Sequence, residues 1–164
     1  MNNLDTILTF EDLHREAHSY SNAASDQSLH EVADLLARYP EFYFQNKESL
    51  DFDIPGFVFT WLGGWYAIRL YEEQKYDELR DLMSYMEAKW IAEKERKALS
   101  GETSESEMDY FVQFCFLEAI FDAIARSADA RKGITEFLQP QLRKRYDELC
   151  AAWTPSWWQR FLSS

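Results

Sequence analysis

Apolar residues recur along most of this chain with the period of an α-helix, and nowhere with the alternation of a strand. Leu29, Val32, Ala33 and Leu36 follow the i, i+3, i+4, i+7 rule. Ser28-x-x-Glu31 matches a capping box at the start of that run, and Pro40 closes it. Pro55 suits the first turn of a helix reaching about Glu73, whose middle carries Gly63-Gly64. Adjacent glycines in an aromatic-rich helix either let another helix pack closely or mark a kink. Tyr76, Leu79, Met83, Met86 and Trp90 line a third helix, about 75–98, whose other face is charged. Beyond the loop 99–106, Ser104-x-x-Glu107 is a second capping-box match. The helix it introduces, about 107–126, is apolar nearly all round and belongs in the centre of a bundle. Leu142, Tyr146, Leu149 and Trp153 line another helix opened at Pro140, and Thr154-Pro155 can cap a terminal turn bearing Trp157, Trp158 and Phe161. The segment from Leu4 to about Ala17 completes the set as an N-terminal helix.

The pattern therefore predicts an all-α, single-domain bundle over 1–164, with six or seven helices arranged as stacked antiparallel hairpins. An N-terminal helix and linker occupy 1–27, the helical core 28–126 and the C-terminal helices 127–164. No solenoid-type repeat is present. With 46% hydrophobic residues in 164, the chain can bury one core without metal or disulfide. Its two cysteines, Cys115 and Cys150, both lie in apolar patterns, which suits a reducing, cytoplasmic setting. The N-terminus lacks the basic and apolar regions of a signal peptide. The longest uncharged stretch, 54–68, is shorter than the roughly 18 residues of a membrane span.

Charge sharpens the picture. The formal net charge is −12, and it is unevenly placed: residues 1–60 carry 11 acids against 3 bases, residues 61–128 carry 14 against 8, and residues 129–164 carry 4 against 6. Such a field repels phosphate, which argues against nucleic-acid binding and against docking on an anionic membrane. It attracts basic protein surfaces, and it also keeps a small domain soluble.

Chemistry-bearing constellations are few. His14 and His18 are four apart, with Glu16 between them, but this order does not match the zinc-protease motif and only His30 remains as a further nitrogen ligand. The expectation is solvated histidines and no metal. No nucleophile elbow or glycine-rich phosphate loop appears, and pairs such as Asp51 and Asp53 are expected by chance among 29 acids. The reading is a protein with no catalytic residue and no cofactor. Glu118 shares a helix face with Phe111, Phe114 and Cys115, which predicts a buried, partnered carboxylate tying helices together. Arg143-Lys144-Arg145 reads as a solvated basic run.

The segment 41–53 matches neither period, and it mixes aromatics with acids. Glu41, Tyr43, Phe44, Glu48, Asp51, Phe52 and Asp53 supply what a surface for a basic protein needs, namely aromatic anchors inside an acidic rim. The alternative is that the aromatics fold inward and the acids are merely solvated. Glu102 and Glu105, with Glu107 and Asp109, form a second candidate patch.

Several of these features, taken in order, carry a resemblance: Leu29–Tyr39-Pro40-Glu41, the acidic stretch ending Asp53-Ile54-Pro55, the Gly63-Gly64 helix, Tyr76-Asp77-Glu78-Leu79, Met83–Met86-Glu87 and Phe116-Leu117-Glu118. Over this part, a little more than half the chain, the sequence resembles a family of small acidic helical bacterial proteins found beside polymorphic and contact-dependent toxins. The resemblance implies an immunity protein that neutralises a toxin domain; the acidic charge points to a basic partner, and the expectation is a monomer that pairs one to one with it. It supplies no catalytic residue. A structural or adaptor bundle, self-associating through Trp153, Trp157 and Trp158, is the reading from another class.

Overall fold

A computed structural model describes residues 8–152, which are helical with no strand among them. No described helix is long and apolar enough to cross a membrane. Trp153, Trp157, Trp158 and Phe161, and the start of the expected N-terminal helix at Leu4, lie outside the described residues. The chain divides into two compact units, Met1–Phe59 and Thr60–Ser164, and the division falls within helix α4 (Pro55–Trp61).

In the first unit, α1 (Phe10–Tyr20) starts at a capping box: the Thr9 hydroxyl accepts from Asp12 N at 3.2 Å, and Thr9 N donates to the Asp12 carboxylate. Its Leu13 and Ala17 are fully buried, and α1 packs on α2 (Asp26–Arg38). The buried stripe of α2 comprises Leu29, Val32, Ala33, Leu35 and Leu36. Its cap is Ser25 rather than Ser28; the Ser25 hydroxyl accepts from Ser28 N at 3.1 Å, and Ser28 itself is buried. The next helix, α3 (Pro40–Asn46), opens at the same Pro40 that ends α2. It corrects the aperiodic reading of 41–53. Tyr39, Phe42, Tyr43 and Asn46 are its inward face, at helical spacing, but two turns are too few for the period to stand out. Asn46 ends it, donating from Nδ2 to Phe42 O at 2.9 Å while its own carbonyl accepts from Ser49 N and Leu50 N.

The second unit is built on two interrupted helices. The first passes from α4 through a π-helical turn, π1 (Leu62–Ala67), into α5 (Ile68–Glu72). The other passes from α7 (Glu107–Tyr110) through π2 (Phe111–Leu117) into α8 (Glu118–Ala125). They meet backbone to backbone. A Cβ on Gly63 would stand 2.3 Å from the carbonyl oxygen of Phe116, and one on Gly64 would stand 3.3 Å from Ala119 Cβ. The glycine pair thus permits a close helix approach, at a place where each helix is locally widened. Leu62, Val112, Phe116, Leu117 and Ile120 are fully buried here.

Alongside these rods runs α6 (Tyr76–Ser100), with Leu79, Leu82, Met83, Met86 and Trp90 buried and Gly101 closing it in the left-handed region at φ 70°. A 3₁₀ segment (Ala128–Phe137) and α9 (Pro140–Ala152) complete the unit. The first turn of α9 is capped at long range: the Glu87 carboxylate accepts from Gln141 N at 2.9 Å and Leu142 N at 3.0 Å.

Candidate binding surface

The first unit holds an open cavity of about 630 Å³. Glu16 and Tyr20, one turn apart on α1, form one wall. Tyr43 comes from α3, and the loop after it supplies Lys47, Glu48, Ser49, Leu50, Asp51 and Phe52. The turn sealed by Asn46 sets the loop's direction, and burial of Leu50 and Phe52 pins it down. Three carboxylates and one ammonium therefore line a depression walled by aromatic rings.

Tyr43 orders one side of it. Its ring is buried, and its hydroxyl reaches both oxygens of the Glu16 carboxylate, at 2.8 and 2.9 Å. Burial, then the Glu16 carboxylate, push the phenol well above its ordinary pKa, so it stays a protonated donor at any physiological pH. Its hydroxyl thus serves as a strut for the Glu16 carboxylate. Tyr20 is 67% exposed beside it, and Phe44, whose ring lies 5.5 Å from that of Tyr43, is 49% exposed.

The sequence candidates thus divide. Tyr43, Glu48, Asp51 and Phe52 come together at the cavity, with Phe52 and Tyr43 as buried walls rather than protruding anchors. Glu41 and Phe44 are exposed on α3. Asp53 is exposed but engaged: its carboxylate accepts from Asn22 N at 2.7 Å, and that bond, aided by Ser21, holds it below the usual carboxylate range. Glu16 and Tyr20 were not among the candidates. Their signal was present, since positions 16 and 20 follow the buried pair Leu13 and Ala17 along one helix, but only the fold brings α3 against it.

The second candidate patch lies in the other unit and divides, with Glu105 and Glu107 exposed and Glu102 and Asp109 engaged internally. Glu102 is half-buried and paired with Arg96 at 2.9 Å, and Glu105 is exposed. Asp109 is buried, which removes it from any surface. It receives Lys97 Nζ, Trp90 Nε1 at 3.1 Å and Ser106 N at 3.1 Å. Burial alone raises its pKa, but the Lys97 ammonium and the two N–H donors outweigh that and hold it low. The true cap of α7 is Ser106, with Asp109 as its reciprocal partner, rather than Ser104 with Glu107.

Two further expectations are corrected. Glu118 is half-buried, not buried, and among the described residues no hydrogen bond or ion pair reaches it. Partial burial, then Asp122 nearby, raise its pKa. The basic run is not simply solvated either: Arg145 donates to Gln113 Oε1 at 2.6 Å. Cys115 is buried, and burial pushes its thiol up to about 11, which makes it unreactive at neutral pH.

His14 and His18 are not independent surface residues. Their Nε2 atoms stand 3.2 Å apart, and Asp26 Oδ1 lies 2.7 Å from His18 Nε2. These three are the one group of potential metal ligands that converges among the described residues.

No protein-family model matches this chain, and neither a curated protein nor a solved structure does.

Proposed function

We propose that this chain is an immunity-type protein that binds and silences a cognate toxin domain, one to one, in the cytoplasm of the cell that makes it. The reading is supported by one observation above the rest, the acid-rimmed, aromatic-walled cavity of the first unit. An arginine or lysine of a partner would meet carboxylates at the rim and ring faces within, both of which favour a guanidinium most. Glu16 is held by Tyr43, so part of the rim is preorganised and little entropy is lost when a cation arrives. Nuclease clefts are basic because their substrates are polyphosphates. An acidic face laid over such a cleft would keep substrate out, and that makes a nuclease the best-fitting toxin.

The test begins with the toxin domain encoded immediately upstream, produced together with this chain. A 1:1 complex should form. Reversing the rim with Glu48→Lys and Asp51→Lys should slow association by about tenfold and flatten its dependence on salt. Phe44→Ala should instead raise the dissociation rate, because a half-exposed ring that becomes buried in a complex acts as an anchor. Phe52 and Tyr43 are unsuitable probes, since truncating them would unsettle the unit itself. The absence of a toxin gene beside this one, or a complex indifferent to all three substitutions, would sink the reading.

A further inference from the structure

We propose that the α1–α2 hairpin binds one divalent transition-metal ion, zinc by its ligand chemistry, through His14 Nε2, His18 Nε2 and Asp26 Oδ1. Helical geometry places His14 and His18 one turn apart on the same face of α1. Asp26 is the first residue of α2, and the chain reversal at 21–25 brings it across to them. All three ligand atoms lie within 4.8 Å of one another.

The spacing suits an ion. Two nitrogens bound tetrahedrally to zinc at about 2.0–2.1 Å stand about 3.3–3.4 Å apart. The Nε2 atoms of His14 and His18 are 3.2 Å apart, close to that value, while the exposed Asp26 carboxylate, 2.7 Å from His18 Nε2, must swing outward by about half an ångström to admit the metal. Protons satisfy the group poorly. A neutral imidazole nitrogen carries at most one hydrogen, yet His18 Nε2 faces both Asp26 Oδ1 and His14 Nε2. If it donates to Asp26, its single hydrogen would have to serve Asp26 Oδ1 and the lone pair of His14 Nε2 at once. A cation at the centre takes a lone pair from each of the three. Imidazole with carboxylate is a donor set for zinc and its neighbours in the transition series, not for magnesium.

The first ligand is also held in place. The His14 ring stacks on Phe10 at 5.3 Å and 16°, and it meets the edge of His30 at 5.9 Å. His18 and Asp26 are exposed, so the fourth position is open to water. An ion here ties α1 to α2 without touching the cavity rim, and the site stands whether or not the chain binds a toxin.

The experiment uses the full chain, stripped with a chelator and titrated with Zn²⁺ by calorimetry and with Co²⁺ by visible absorption. One ion should bind, and cobalt should give the intense absorption of a tetrahedral site. His14→Gln, His18→Gln and Asp26→Asn should each weaken binding at least about tenfold and erase that band, by analogy with the roughly 10–100-fold cost of losing even an outer-shell partner. Far-UV spectra of the stripped variants should match the parent, which separates loss of a ligand from loss of fold. No heat at one equivalent of zinc, or equal affinity in all three variants, would overturn the proposal.

Discussion

In the second unit several acids are engaged by the fold itself, though only Asp109 of those that follow is buried. Asp109 is buried against Lys97, Trp90 and the backbone of Ser106; Glu87 caps α9 across the unit; Glu72 pairs with Arg131 at 2.6 Å. In the first unit Glu48 and Asp51 stand at the rim of an open cavity, and Glu16 is fastened by a phenol that leaves its carboxylate in place at the wall. The packing differs in the same sense. The second unit brings two backbones together at Gly63 and Phe116 through a pair of π-turns, whereas the first packs side chains of ordinary α-helices. Acids outnumber bases along both stretches, so charge alone does not mark a binding face. What sets the first unit apart is an open cavity with Glu48 and Asp51 exposed at its rim.

The largest test of this contrast is Asp109→Ala. It strands Lys97 and Trp90 Nε1 inside the second unit and should cost about 3–5 kcal/mol in thermal or denaturant unfolding. The pH dependence should change with it. Asp109 has a depressed pKa when folded, so its contribution is present above the unfolded value of about 3.8. That contribution disappears as pH falls through the folded pKa. Loss of Asp109 should therefore flatten the acid limb of the stability curve.

Next comes the glycine pair. Gly63→Ala pushes a methyl into a backbone oxygen that cannot step aside, and should cost about 2–3 kcal/mol despite alanine's better helix propensity. Gly64→Ala presses on the Ala119 Cβ at 3.3 Å, with the Ala119 backbone at ordinary contact distance, and should fall within about 1 kcal/mol of the parent. Equally small effects at the two positions would show that the approach at π1 and π2 is not tight.

In the first unit, the rim reversal of Glu48 and Asp51 should cost no more than about 1 kcal/mol, since both are exposed and only the bond from Asp53 N to the Asp51 carboxylate is lost. A large loss there would break the comparison, because it would mean those acids hold the fold. The smallest effect is expected at Glu118, a half-buried acid of the second unit that no hydrogen bond or ion pair reaches among the described residues. Glu118→Gln should keep or slightly raise stability at neutral pH. Its raised folded pKa means that the charged form is penalised as pH climbs above the unfolded value, so any gain should vanish on acidification.

Much of the fold was legible because long helices repeat their signal. The stripe from Tyr76 to Trp90 and the all-round apolar run after Ser106 each extend over several turns, and the end of α6 expected near 98 falls two residues on, at Ser100. Caps were less legible. Ser28 and Ser104 each satisfy a four-residue pattern, yet Ser25 and Ser106 are the residues used, because several serines within one turn compete and only the emerging backbone chooses among them. The candidate surface was half legible. Glu48 and Asp51 stood out by composition, while Glu16 and Tyr20 sit more than twenty residues away from Tyr43.

By itself, the amino-acid sequence determined that this chain is helical, strongly acidic and supplied with aromatic residues beside its acids, because period, charge and composition are local properties. Tertiary structure alone decided which acids are enclosed and which stand open. Asp109 and Asp51 are the same residue type in similarly acidic surroundings, yet one is locked to Lys97 and the other stands at a cavity rim. It also decided that Asp26 joins His14 and His18, since a turn at 21–25 folds one helix back along another. The physical reason is common to both: ion pairs, cavities and ligand clusters depend on distances across space, and those are set only when the helices have packed.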